Sequence, residues 1–175
     1  MKPNDVVVRI HAVGLNFRDV LMTLGMYPGD VERDNDGTIM VGSDASGVVV
    51  ATGTNVTSLC PGDNVYGWIP GSFRTYCIAD PRSLAKIPKS ISWEAAAGIP
   101  TCFGTAYVAL HELSKLKKGE YILIHAASGG TGLAAMQIAL SLGAVVIGTA
   151  SKNKRTFVKS EGASFVFNSR DLSFA

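Results

Sequence analysis

Residues 126–132 read Ala-Ala-Ser-Gly-Gly-Thr-Gly, a run of small side chains suited to one kind of chemistry: cradling a diphosphate with backbone amides. It follows the β-rich run Tyr121-Ile-Leu-Ile-His125 and precedes the alanine-rich run Leu133-Ala-Ala-Met-Gln-Ile-Ala-Leu140, so it reads as the turn between a strand and a helix. Glycines at 129, 130 and 132 let the turn tighten, let backbone approach a pyrophosphate, and let the helix pack close to the strand. Ala126, Ser128, Gly129, Gly130, Thr131 and Gly132 are therefore the candidate phosphate-binding residues. Alanine stands at 126 where the G-x-G-x-x-G form has its first glycine, so the strand–turn–helix context carries more weight than the bare pattern. An ordinary tight turn of an α/β protein is the alternative.

The next β-branched run, Val145-Val-Ile-Gly-Thr149, places residues 151–155 just past a strand's carboxyl end, where the adenosine ribose of a dinucleotide would lie. A site for NAD needs a carboxylate there to accept from the ribose 2′-hydroxyl. None occurs between Gly132 and Glu161. Ser151, Lys152, Lys154 and Arg155 offer instead a hydroxyl and cations, which match a 2′-phosphate, so Ser151, Lys154 and Arg155 are candidate contacts and NADPH is the expected cofactor. A solvated basic helix start is the alternative, although cations there oppose the helix dipole.

These groups need a fold to hold them. The chain has 175 residues, 47% hydrophobic, with a formal net charge of +2, enough for a sizeable core and too little charge for a disordered or polyelectrolyte chain. Neither nucleic acid nor an acidic membrane surface is an expected partner. Cys60, Cys77 and Cys102 have no close spacing, which argues against a disulfide framework or zinc knuckle and fits a reducing cytoplasm. From Tyr121 to Ser151 there is no Asp, Glu, Lys or Arg, yet glycines at 129, 130, 132 and 143 cut that apolar stretch into lengths of strand and helix, so a buried β-α-β unit is expected rather than a membrane span.

Upstream the rhythm differs. Val6–Ile10, Gly47–Val50, Asn64–Tyr66 and Phe73–Ile78 are short β-prone runs separated by Pro28-Gly29, Pro61-Gly62-Asp63 and Pro70-Gly71, the pattern of an irregular antiparallel β domain. Asn16–Leu24 is the expected helical interruption, with Phe17, Val20, Leu21 and Leu24 on one face. Ser92 is a plausible cap for a helical region that runs to about Leu113. The expected organisation is a β-rich domain over residues 1–92 and an α/β domain over 93–175.

Gly14-Leu-Asn-Phe-Arg-Asp-Val-Leu-Met-Thr-Leu-Gly-Met-Tyr-Pro-Gly29, Pro61-Gly-Asp-Asn-Val65, Trp93-Glu-Ala-Ala-Ala97, Thr105-Ala-Tyr107 and the Ala-Ser-Gly-Gly-Thr-Gly turn occur in one order across nearly the whole chain. Together they resemble the enoyl reductase domain of polyketide and fatty acid synthases, in the zinc-free, quinone-reductase-like branch of the medium-chain dehydrogenase/reductase superfamily. The resemblance implies a GroES-like β domain followed by a Rossmann domain, NADPH as reductant, an enoyl thioester on an acyl carrier protein as substrate, and other synthase domains in cis. It also implies that Asn16 and Thr105 line the nicotinamide end, and that Tyr27 matches a tyrosine beside the α-carbon that influences which face is protonated. A turn aromatic packed on Pro28 is the alternative for Tyr27.

Zinc-dependent relatives carry a cysteine where this chain has Asn16 and a histidine where it has Ser43, so no metal is expected. Cys102 lies near a third ligand position without partners. His11, His111 and His125 are expected to be structural, on a strand, a helix and a strand, and Ser128 does not sit in a hydrolase elbow. The family domain continues past Ser164–Asn168 into further strands that hold its lysine and aspartate proton sources, and Met1 falls inside its first domain. The chain is thus expected to be a fragment, truncated after the third Rossmann strand and inactive alone. A stand-alone quinone or enone reductase and a non-catalytic NADPH-binding fragment remain as alternatives.

Overall fold

The computed structural model describes residues 1–172 and 174, which form two compact units, Met1–Thr101 and Cys102–Ala175. The first is built on β1 (Val6–Gly14), β2 (Asp44–Thr52), β3 (Asn64–Trp68), β4 (Tyr76–Ala79) and β5 (Leu84–Lys86), paired antiparallel in the order β4-β1-β2-β3-β5. Alternation along these strands puts Val6, Val8, Ala45, Val49, Val65, Cys77 and Ala79 into one core with Leu59 and Ile69. Glycines allow the strands to approach: a Cβ on Gly47 would meet the Arg9 carbonyl oxygen at 2.2 Å, and one on Gly67 the Ser83 oxygen at 2.0 Å.

Helix α1 (Phe17–Thr23) interrupts the β pattern as expected. Two expectations need revision. The run Phe73–Ile78 pairs only from Tyr76 onward, and the helical region after Ser92 is not continuous. Ser92 does cap α2 (Trp93–Ala97), accepting from the Ala95 N–H, but the backbone then breaks at Gly98 and restarts as α3 (Pro100–Tyr107), whose proline fits a first helical position where no N–H partner is needed. Beyond Tyr107 the chain widens into a π-helix, Val108–Leu113.

The second unit holds a parallel sheet of β6 (Tyr121–Ile124), β7 (Val145–Ala150) and β8 (Phe165–Asn168), with β7 in the middle. Helix α4 (Gly130–Ser141) crosses from β6 to β7, and α5 (Arg155–Ser160) from β7 to β8. Ile124, Ala127, Met136, Ala139, Val146, Ala150 and Val158 form its core. Small residues matter here: a Cβ on Gly148 would press on Val158 Cγ1 at 2.9 Å and Ala127 Cβ at 3.1 Å. The β-rich first unit and parallel second unit match the expected GroES-like and Rossmann architecture. The division falls after Thr101, against an expected boundary after Ser92. Among the described residues, no helix is long and apolar enough to cross a membrane.

Candidate dinucleotide and substrate sites

Where β6 ends, Ala126 takes a left-handed φ of +50°, and its carbonyl accepts from the Gly129 N–H at 2.9 Å, closing the turn. Helix α4 begins inside the glycine run, earlier than the Leu133 expected. Leu133 N–H reaches the Gly129 carbonyl at 2.8 Å, whereas the N–H groups of Gly130, Thr131 and Gly132 belong to the first turn and have no preceding helical carbonyl. No acidic side chain stands in that turn. The turn can exist only with glycine at 132, since a Cβ there would lie 2.4 Å from the Ala126 oxygen and 2.8 Å from Ala127 Cα. Gly130 faces Cys102, whose Sγ would sit 3.0 Å from an added Cβ and lies 3.8 Å from Thr131 Oγ1. An open groove of about 320 Å³ is lined by Ile124, His125, Ala126, Gly129, Gly130, Thr131, Gly132 and Ala135. Ser128 is half-buried within the same turn. Gly129, Gly130 and Gly132 thus line an open groove with backbone rather than side chains.

Because β6 and β7 run parallel with Ile124 opposite Gly148, the loop after Ala150 leaves the sheet on the same side as the glycine turn. Ser151 is half-buried there and donates to Asn153 Oδ1 at 2.8 Å. Lys154 is exposed. Arg155 is half-buried, with a buried Nε that finds no hydrogen-bond partner among the described residues, and it lines a separate concavity with Thr156, Lys159, Ser160, Ser164, Phe165 and Val166. Thr105 is exposed on α3.

Asn16 and Tyr27 belong to the first unit. Asn16 is held at both ends of the residue: its backbone N–H donates to Asp19 Oδ2 at 2.8 Å, and its side-chain Nδ2 donates to Asp44 Oδ2 at 3.1 Å. Asp44 is 2% exposed and also accepts from Thr101 N–H at 3.0 Å and Thr101 Oγ1 at 2.6 Å, with Ser43 Oγ at 3.5 Å. A carboxylate can only accept, so the Asn16 amide must turn its nitrogen toward Asp44 and its oxygen away. Sequence reasoning missed Asp44. The available signal was an acidic residue opening an otherwise apolar strand, Asp44-Ala-Ser-Gly-Val-Val-Val50, but its main partner, Thr101, is distant in sequence. Tyr27 is half-buried beneath the Arg18 guanidinium, 5.2 Å from ring centroid to Cζ.

Residues 2–89 match the alcohol dehydrogenase GroES-like domain. The chain belongs to that family. Within it, the chain is closely related to synthase enoyl reductases: it is 43% identical over 177 residues to polyketide synthase GfsB of Streptomyces halstedii, covering 100% of this chain and 3% of that one. The highly reducing polyketide synthase ZEA2 of Gibberella zeae is 43% identical over 178 residues, covering 98% of this chain and 7% of its own. Among solved structures, the CurK enoyl reductase superposes with a TM-score of 0.89 at 37% identity, over 99% of this chain and 54% of that chain. A quinone oxidoreductase from Pseudomonas syringae pv. Tomato gives 0.84 at 35% identity, over 95% and 51%. The chain spans a small part of these synthases and about half the length of the solved relatives.

Proposed function

We propose that these residues form the substrate-side β domain and the first part of the nucleotide domain of an NADPH-dependent enoyl reductase, acting on an enoyl thioester carried by an acyl carrier protein within a polyketide synthase. The observation that carries this reading is the glycine turn: bare N–H groups at the start of α4, a carboxylate-free first turn, and a Gly132 whose hydrogen alone fits against the Ala126 oxygen. Ser151, Lys154 and Arg155 would supply donors for a 2′-phosphate, and no acidic residue stands between β7 and Glu161 to favour NAD.

NADPH would supply the hydride for the β-carbon. The chain's own task is then to orient and to manage charge and protons. By the resemblance, Asn16, immobilised by Asp19 and Asp44, would offer its amide to the nicotinamide, and Thr105 its hydroxyl. The Tyr27 phenol can donate a proton or a hydrogen bond at the α-carbon, and the Arg18 cation over its ring restrains the ring's position. A quinone as acceptor is the second reading, favoured by the likeness to the Pseudomonas enzyme.

Binding of NADPH and NADH to the chain and to Lys154→Ala tests the cofactor. NADPH should bind far more tightly, and loss of one charge-assisted contact worth about 1.5–3 kcal/mol should weaken it by about tenfold or more without touching NADH. Equal affinities would refute the assignment. The acceptor is decided by NADPH oxidation in a polypeptide extended to the full length of the solved relatives. Turnover with a quinone and none with an enoyl thioester would favour the second reading.

A further inference from the structure

His125 stands one residue beyond β6, not within the strand as expected, because the left-handed turn at Ala126 ends the pairing. It is exposed and lines the groove beside the glycine turn. Its Nδ1 lies 3.1 Å from Thr149 Oγ1, and the edge of Phe174 holds the ring at 5.1 Å between centroids.

Thr149 decides what the ring offers. Its side chain is fully buried, at 0% exposure, and its oxygen already accepts from the Ala126 N–H at 3.4 Å. The hydroxyl proton still needs an acceptor, since a buried O–H left unpaired is costly. Among the described residues, His125 Nδ1 is the one acceptor in reach. Nδ1 must therefore be bare, which places the proton of the neutral imidazole on Nε2. Nε2 has no protein partner among the described residues.

We infer that His125 is a further cofactor-binding residue, whose Nε2–H donates to the diphosphate of the bound dinucleotide, in a tautomer fixed by Thr149. This rests on the dinucleotide reading above. The ring adds a side-chain N–H donor to the backbone amides and the Ser128 and Thr131 hydroxyls, in a stretch from Tyr121 to Ser151 that has no Asp, Glu, Lys or Arg. An anion there meets no competing carboxylate, and a neutral donor serves it without a charge having to be desolvated first.

The test uses the 175-residue chain and two probes, NADPH and 2′-AMP, which lacks the diphosphate. His125→Phe keeps an aromatic ring but has no donor, while His125→Gln places an amide N–H near the position of Nε2. NADPH affinity should fall about tenfold or more in the Phe variant and stay within about threefold in the Gln variant, with 2′-AMP affinity unchanged in both. Long-range 15N–1H correlation of the wild-type imidazole, assigned by its loss in the Phe variant, should show a protonated Nε2 and a bare Nδ1. A protonated Nδ1, equal NADPH affinity in the Phe variant, or a matching loss for 2′-AMP overturns the proposal. A wild-type chain whose ring has the expected tautomer but which binds neither probe overturns the dinucleotide reading, and the role with it.

Discussion

Asp44 shows how much local structure can hang on one buried carboxylate. It is buried and collects donors from Asn16, Ser43 and Thr101, so Asp44→Ala would strand at least the Asn16 amide and the Thr101 N–H and hydroxyl. A loss of about 3 kcal/mol in unfolding free energy is expected, measured by denaturant titration. The same contacts bear on metal binding. Asn16 and Ser43 are weak zinc ligands by donor type, and both are already turned to Asp44, so elemental analysis of the purified chain should find no stoichiometric zinc. One zinc per chain would refute that. At this scale the glycine turn was legible because its chemistry is local: small residues at short spacing need a strand before and a helix after, and both are written beside them. Asp44 and the tautomer of His125 were not legible, because each depends on a partner brought from another strand or helix by folding.

Elements respond to strain and to charge. Ala126 occupies a left-handed conformation that costs an alanine roughly 1–2 kcal/mol, so Ala126→Gly should stabilise the chain by about 0.5–1 kcal/mol once the extra freedom of glycine in the unfolded state is subtracted. Gly132→Ala should do the opposite, by about 2 kcal/mol, and weaken NADPH binding as well, because its Cβ would have to displace the Ala126 carbonyl at the mouth of the groove. Thermal melts and calorimetry of the pair check both signs. The β5 corner answers to acid. The Arg82 guanidinium holds the Asp80 carboxyl down at about 2, and the Lys86 ammonium at 2.8 Å lowers that of Asp63. A depressed folded pKa stabilises above the ordinary carboxylate value and is lost as pH falls through the folded one, so the Asp80 contribution should fade from about pH 4 to about pH 2. Asp80 is exposed and Asp63 half-buried at the surface, so the effect is local: amide exchange at Leu84–Lys86 should quicken over that window in the wild type, and far less in Asp80→Asn. Strand and helix identity followed from periodicity, whereas the break at Gly98, the restart at Pro100 and the π-helix after Tyr107 carry no period of their own and emerged only from the folded backbone.

For the molecule as a whole, the 175 residues cover 54% of the CurK enoyl reductase chain, and β6 lies at the margin of its sheet with Tyr121 69% and Leu123 40% exposed. A polypeptide of these residues alone, about half the length of that enzyme, should bind NADPH, self-associate through that margin, and give negligible turnover of an enoyl thioester, because cofactor binding by itself cannot lower the barrier of the chemical step. Steady-state NADPH oxidation beside an extended polypeptide checks this, and equal rates would sink it. The stretch without Asp, Glu, Lys or Arg also has a consequence in solution. On the proposed reading, a nucleotide at the glycine turn would be held by amides and the His125 Nε2–H, short-range dipoles that dissolved ions barely screen, while at Lys154 it would be held by an exposed full charge that they screen well. Rising ionic strength should therefore erode the preference for the phosphorylated cofactor before it erodes the grip on the diphosphate, so that selectivity, rather than binding itself, tracks the salt concentration around the protein.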